Sequence, residues 1–167
     1  MTKKLQNFLP VVILFLALLI FGSMFLNVLQ NSNGEAIVTG VTATFGGETF
    51  QIGGFLDHKV NFSLLNLLAF SLPALISIIF VLSTINDKKT SMSKLIFGLL
   101  LTLTFSLSIV LFFQLPQNTT HVTTILGNEV TATFGGQDLA IGAILGYVFA
   151  ILGSITSLIY SILQFER

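Results

Sequence analysis

The heptapeptide VTATFGG at residues 41–47 returns unchanged at residues 130–136. Each copy lies between two long apolar stretches, so the chain reads as two helical hairpins that share one orientation. Such an arrangement predicts a parallel repeat, with a pseudo-two-fold axis along the membrane normal. The repeat therefore predicts three parts: a first hairpin unit at residues 1–86, a linker at residues 87–94 and a second hairpin unit at residues 95–167.

The flanking stretches are apolar enough to cross a bilayer. Of the 167 residues, 53% are hydrophobic and only 8% are charged, far fewer charges than the roughly one quarter that is usual in soluble domains. Four stretches, each without Asp, Glu, Lys, Arg or His, reach the roughly 20 residues that a transmembrane helix needs; they cover residues 8–29, 62–85, 95–115 and 139–162. The predicted fold is an all-α membrane protein, a bundle of four transmembrane helices with a small extracellular antiparallel β-sheet.

The distribution of cations predicts the orientation, because short loops rich in Lys and Arg remain in the cytoplasm. On the four-span topology, Lys59 is the one cation on the outer side, and the others lie inside: Lys3, Lys4, Lys88, Lys89, Lys94 and Arg167. Both termini and the linker are then cytoplasmic. The membrane is expected to be the cell membrane of a bacterium. The alternative is that Lys3 and Lys4 begin a cleaved signal peptide, which would place the N-terminus outside.

The two copies of VTATFGG predict two β-hairpins on the outer side. Gly-Gly between alternating runs is a two-residue turn signal that calls for positive φ. If Gly46-Gly47 and Gly135-Gly136 are the turns, each hairpin has apolar side chains on one face and polar side chains on the other. The pairing of residues is the same in both copies. Further short strands are expected at residues 36–38 and 121–126, and the two loops are expected to pair into one sheet. The residues proposed for interaction are Thr42, Thr44, Phe45, Gly46, Gly47, Thr131, Thr133, Phe134, Gly135 and Gly136.

Three interpretations of these hairpins are open. They are tight turns retained after duplication, a docking surface whose strand edges recruit another strand, or a site for a ligand or lipid. A phosphate-binding loop is not indicated, because neither the lysine nor the helix start of a nucleotide loop follows the glycines.

Small residues within the apolar stretches predict close helix packing. They form a stripe at Gly142, Gly146, Ala150 and Ser154, and Pro73 predicts a kink or a packing notch. The stripe fits packing within the chain or the seam of a dimer. Asn27, Asn66 and Gln114 are the strongest polar groups in the spans, and they indicate interhelical hydrogen bonds or a solute path.

The sequence offers no arrangement of residues that is typical of an enzyme. It has no cysteine, two histidines and a formal net charge of zero, so thiolate chemistry is absent and no basic field is available for nucleic acid. His58 and His121 occupy positions that are not equivalent in the repeat. We expect no catalytic residue, no metal and no cofactor.

The layout of four helices with a β-rich first outer loop resembles the claudin-type tetraspan architecture. Claudins carry a Trp- and Cys-containing signature in that loop, and this chain has neither residue type, so no residue role is carried over. The functional hypothesis is a non-enzymatic membrane protein whose repeated extracellular β-hairpins and small-residue helix faces support assembly or surface interaction, with membrane lipid and either copies of itself or another membrane protein as partners. The alternatives are a small transporter or channel component for a neutral solute and an accessory subunit of a membrane complex.

Overall fold

The computed structural model describes residues 2–52, 56–85 and 91–165, with side chains described from residue 8 onwards except near the two gaps. Four long helices form its main body: α1 (Thr2–Ser23), α3 (Leu64–Ile85), α4 (Ser91–Phe113) and α6 (Ile141–Phe165). Two short helices lie between them, α2 (Gly40–Phe45) and α5 (Leu115–Asn118). Half of the predicted linker, residues 87–90 with Lys88 and Lys89, lies outside the described residues, as does Arg167.

The four long helices pack side by side in a closed ring, in which α1 and α4 each contact both α3 and α6. Aromatic side chains fill the centre, including Phe70 of α3 edge-on to Phe112 of α4 at a ring-centroid distance of 4.9 Å. Helices α3, α4 and α6 are long and apolar enough to span a membrane. The described apolar part of α1, Phe8–Ser23, is shorter.

The first predicted span is wrong at its C-terminal end. Helix α1 stops at Ser23, and the last residues of the predicted span form strand β1 (Asn27–Gln30). Val28 and Leu29 are fully buried in this strand, so the apolar run continues although the helix does not. Hydropathy does not distinguish a buried strand from a helix in a short run. The other three predicted spans match α3, α4 and α6 to within a few residues.

The segment between α1 and α3 is called here the first connecting segment, and the segment between α4 and α6 is called the second connecting segment. Two antiparallel sheets join these two segments. One sheet has the order β2-β1-β7, with β2 at Ala36–Thr39 and β7 at Asp138–Leu139. The larger sheet has the order β3-β4-β5-β6. Its strands are β3 (Gly47–Ile52), β4 (Leu56–Val60), β5 (Thr120–Ile125) and β6 (Asn128–Thr133). The expected strands at residues 36–38 and 121–126 are confirmed as β2 and β5.

The two copies of VTATFGG adopt different secondary structures, so the prediction of two equivalent hairpins is wrong. The first copy forms helix α2, whereas the second forms most of β6. In α2 the Thr39 hydroxyl accepts a hydrogen bond from the Thr42 amide at 3.2 Å and caps the helix. A β-carbon on Gly40 would lie 2.5 Å from the Met24 carbonyl oxygen, and the second copy has Glu129 at the equivalent position. Only the first copy therefore fits against the end of α1.

Neither glycine pair connects the two strands that were expected to flank it. After Gly46, β3 pairs with β4 rather than with the preceding residues. A tight turn does form at Gly135-Gly136, where the Gln137 amide donates to the Phe134 carbonyl at 2.9 Å, but neither of these glycines has positive φ. Beyond this turn, β7 pairs with β1. A two-residue hairpin turn forms instead at Leu126-Gly127, between β5 and β6.

Candidate assembly site on the paired strands

Strands β4 and β5 join the two connecting segments in the centre of the larger sheet. Their register runs from Leu56 opposite Ile125 to Val60 opposite His121 without a bulge. The ladder continues beyond Val60, where the Asn61 amide donates to the Thr120 carbonyl at 2.9 Å. The expected pairing between the two segments is therefore present, but β4 and β5 provide it rather than the VTATFGG repeats.

Asn66, at the start of α3, connects both segments to the helices. Its side-chain amide donates to the Ala43 carbonyl of α2 at 2.8 Å and to the Thr119 hydroxyl at 2.9 Å. The Thr119 hydroxyl donates in turn to the Leu115 carbonyl at 2.8 Å. Asn66 and Thr119 are fully buried, where each hydrogen bond is worth more than at the surface. This single side chain fixes the helical first copy of the repeat and the start of β5 to the same helix.

A cluster of three rings lies where the sheet meets the helices. The rings of His58 and His121 are 4.6 Å apart between centroids, and Phe134 lies 4.5 Å from His121. His58 Nδ1 is hydrogen-bonded to the Thr123 hydroxyl at 2.9 Å. Burial, and to a smaller extent the neighbouring His58, lowers the pKa of His121 from its usual 6.5. The cluster is thus favoured when His121 is neutral.

The far end of the same sheet face is apolar and open to solvent. Alternation along the strands places Leu56, Ile125 and Val130 on the face that carries the two histidines. Val130 is 59% exposed and Leu126, in the turn, is 71% exposed. The exposed Val130 and Leu126 are therefore candidates for contact with a partner.

Strand β6 is one of the two edge strands of the larger sheet, and β3 is the other. All six residues of β6 are exposed, and among the residues that the structure describes it pairs with β5 alone. Glu129 is its single charged residue, and it has no proline. Exposed edges are usually protected by lysine, proline or a covering element, since an open edge recruits other strands. The second copy of VTAT forms this unprotected edge.

The direction of the free hydrogen-bonding groups on β6 follows from its register. The two residues that flank a two-residue hairpin turn form a hydrogen-bonded pair, here Ile125 with Asn128. Along the antiparallel ladder, pairs that exchange backbone hydrogen bonds then alternate with pairs that do not. The amide of Phe134 donates to the Thr119 carbonyl at 3.1 Å, which agrees with this alternation. The amide and carbonyl groups of the odd-numbered residues therefore point away from β5; these are Glu129, Thr131 and Thr133.

The first copy of the repeat lies elsewhere in the fold. Thr44 is fully buried in α2, Thr42 is half-buried, and the Phe45 ring is 55% exposed at the end of that helix. Gly46 has φ of +78°, and a β-carbon there would lie 2.6 Å from the Val60 carbonyl. Glycine is thus required at this position by both conformation and space. Gly47 begins β3, so these residues do not form a surface equivalent to the second copy.

The second copy is divided between surface and interior. Thr131 and Thr133 are exposed on β6, whereas Phe134 is buried against the histidines. Gly135 and Gly136 are exposed in their turn, and a β-carbon on Gly136 would meet nothing within 4 Å.

The residues proposed for helix packing face other helices of the same chain. A β-carbon on Gly142 would lie 2.9 Å from the Ser23 carbonyl of α1, and one on Gly146 would lie 2.5 Å from the Phe112 ring of α4. Ala150 is fully buried, and the Ser154 hydroxyl is 3.1 Å from that of Ser106 in α4. Pro73 is buried within α3.

Sequence reasoning did not anticipate the contact between His58 and His121. The two residues are far apart in the chain, and they meet only because β4 pairs with β5. Within the described residues, no group of three or more His, Asp or Glu side chains is arranged to hold a metal ion. The described arrangement offers an exposed strand edge and exposed apolar side chains.

Comparison with protein-family models, curated proteins and solved structures found no match for this chain.

Proposed function

We propose that the chain is a four-span protein of the bacterial cell membrane, with both termini in the cytoplasm and the larger sheet outside. The outward-facing side chains of α1 support a fourth span. Phe8, Val11, Phe15 and Leu18 are exposed by 61, 56, 59 and 46% at helical spacing, as expected of a stripe in contact with lipid. The excess of Lys and Arg at the termini and in residues 86–94 supports the orientation.

The function proposed for this protein is assembly at the cell surface without catalysis, with β6 as the docking element. The observation that carries the proposal is the open edge of β6: every residue is exposed, and three of its residues direct amide and carbonyl groups away from β5. Recruitment of a strand by such an edge supplies affinity through main-chain hydrogen bonds and specificity through alternate side chains. The exposed Val130 lies beside this edge and adds apolar contact area.

The polar groups in the helices favour this function over a solute path. Both donors of the Asn66 amide are engaged by protein groups, and Gln114 is exposed at the junction of α4 and α5. The Asn66 Oδ1 is buried and has no hydrogen-bond partner among the described residues, but the two engaged amide donors hold the side chain in place. Asn66 is better explained as the anchor of the two connecting segments.

A matched pair of substitutions at Thr131 tests the docking function. Thr131→Pro removes an amide that points away from β5 and leaves the ladder within the chain intact, whereas Thr131→Val keeps the amide and suits a strand. Native mass spectrometry of the detergent-extracted protein should show that proline abolishes the assembly and that valine retains it. Assemblies that survive Thr131→Pro in a correctly folded protein would contradict the proposal.

A further inference from the structure

We infer that a groove between α4 and α6 binds an acyl chain of an anionic phospholipid from the cytoplasmic leaflet, with Lys94 beside the phosphate of its headgroup. This inference rests on the membrane placement proposed above, and the site lies at the opposite end of the helices from the docking strand β6. The groove, here the α4–α6 groove, is partly open and has a volume of about 280 Å³. Its lining residues are Leu95, Leu99, Leu158, Ser161, Ile162 and Phe165.

The close approach of the two helices forms the floor of the α4–α6 groove. A β-carbon on Gly98 would clash with the Ser161 hydroxyl, so the two backbones lie close together at this point. The larger apolar side chains of the lining come from both helices and form the walls. Several of them, including Leu99 and Ile162, are exposed on the outside of the bundle, so a chain is able to enter from the side.

The lining of the groove suits an alkyl chain. Five of the six side chains are hydrocarbon, and the Ser161 hydroxyl already donates to the Ser157 carbonyl at 2.9 Å. An apolar cavity of about 150 Å³ accommodates benzene, so this groove has room for roughly ten carbon atoms of a chain. Helices α4 and α6 are both long and apolar enough to span a membrane. The hydrocarbon that meets the groove is therefore the acyl chains of the bilayer.

Lys94 places a cation at the end of this groove. It precedes Leu95 and lies one helical turn before Gly98, so it is on the side of α4 that faces α6. Its side chain is half-buried. Lysine commonly lays its alkyl stem along apolar surface in this way while its ammonium group reaches the polar headgroup region. The phosphate of a lipid whose chain occupies the groove is then within reach of Lys94.

The wider charge distribution favours an anionic headgroup over a zwitterionic one. On the proposed topology, six of the seven cations but only two of the seven acidic residues lie on the cytoplasmic side. The acidic side chains that the structure describes all belong to the connecting segments, at the other end of the helices. Basic sites between helices on the cytoplasmic side attract anionic headgroups.

Native mass spectrometry after extraction from vesicles measures which lipid stays bound. The vesicles contain equal amounts of phosphatidylglycerol and phosphatidylcholine with the same acyl chains, and phosphatidylglycerol should be the lipid retained. Leu99→Trp should fill the groove and abolish retention. Leu107→Trp is the matched control two turns further along α4, since Leu99 and Leu107 are 44 and 43% exposed; it should retain the lipid.

Substitution of Lys94 tests the headgroup separately from the groove. Lys94→Gln should reduce the preference for phosphatidylglycerol by about fivefold, the effect of one cation near the membrane surface. Lys94→Arg should keep the preference, because it keeps the charge.

Three outcomes would overturn the inference: equal retention of the two lipids, equal retention by the two tryptophan variants, or a preference that Lys94→Gln does not change. A protein dimer that Leu99→Trp dissociates would also overturn it, because a second chain would then occupy the groove. Labelling of Thr90→Cys on intact cells would overturn the assignment to the cytoplasmic leaflet. None of the lipid variants alters β6, so the substitutions at Thr131 test the docking function independently.

Discussion

Replacing Asn66 by leucine should loosen both connecting segments from the helix bundle. The change keeps the side-chain volume but removes the bonds to the Ala43 carbonyl and the Thr119 hydroxyl, at 2.8 and 2.9 Å. Thr119 retains its bond to Leu115, so the main loss is that of a partner for the buried Ala43 carbonyl. An unsatisfied buried group costs about 1–3 kcal/mol. Leucine also removes the buried Asn66 Oδ1, which has no hydrogen-bond partner among the described residues, and adds apolar burial, so we expect a net loss of about 1 kcal/mol.

The assay is thermal unfolding in detergent followed by circular dichroism, with Ser71→Ala as the control. Ser71 lies on the same helix, and its hydroxyl donates only to the Leu67 carbonyl one turn earlier. A loss of about 1 kcal/mol corresponds to a decrease in melting temperature of roughly 2–4 °C for a chain of this size, whereas the control should change little. If Asn66→Leu melts at the same temperature as Ser71→Ala, Asn66 is not the anchor described above.

Three further predictions concern the connecting segments. Gly46→Ala should destabilise the protein by more than about 2 kcal/mol in chemical unfolding, and Gly135→Ala, at the equivalent position of the repeat, should cost well under half as much; equal costs would contradict the difference between the copies. Lowering the pH through about 6.5 should reduce the free energy of unfolding, because the unfolded chain binds a proton at His121 before the folded chain does. His121→Gln should reduce this dependence, and an unchanged pH profile would refute the reasoning. Leu126→Asn should stabilise the hairpin by about 0.5–1 kcal/mol, since Leu126 has φ of +50° and asparagine tolerates that conformation; a lower melting temperature would count against it.

The sequence was sufficient to predict the helices but not the pairing of the strands. All four predicted spans contain a long helix, and three of them match it to within a few residues, because a helix satisfies the hydrogen bonds of its own backbone within a long apolar run. The end of α1 was missed because Val28 and Leu29 are as apolar in a buried strand as they would be in a helix. In such a short run, hydropathy is the same for both structures.

The repeat was misinterpreted because identical residues were expected to fold identically. Val, Thr, Ala and Phe have only modest preferences for helix or strand, so contacts outside the heptapeptide decide between the two. The first copy is preceded by Gly40, which fits against Met24, and the second copy follows a hairpin turn that aligns it with β5. The sequence does not reveal either contact before the fold is known.

The exposed edge of β6 and the cluster of the His58, His121 and Phe134 rings could not be predicted for a different reason. Both depend on the pairing of β4 with β5, which joins parts of the chain that are about 60 residues apart, as in the contact between His58 and Thr123. Strand alternation predicts which side chains share a face, but it does not predict which distant strand lies beside them. For this reason the sequence predicted that the two connecting segments pair but not which of their strands do so.

The central claim, that the paired strands lie outside a four-span membrane protein, is tested most directly by single cysteines and an impermeant thiol reagent on intact cells. Ser32→Cys and Gly136→Cys place exposed thiols in the two connecting segments, and Thr90→Cys places one between the second and third proposed spans. The account predicts labelling of the first two on intact cells and of Thr90→Cys only after the cells are permeabilised. Labelling of Thr90→Cys alone on intact cells would contradict it.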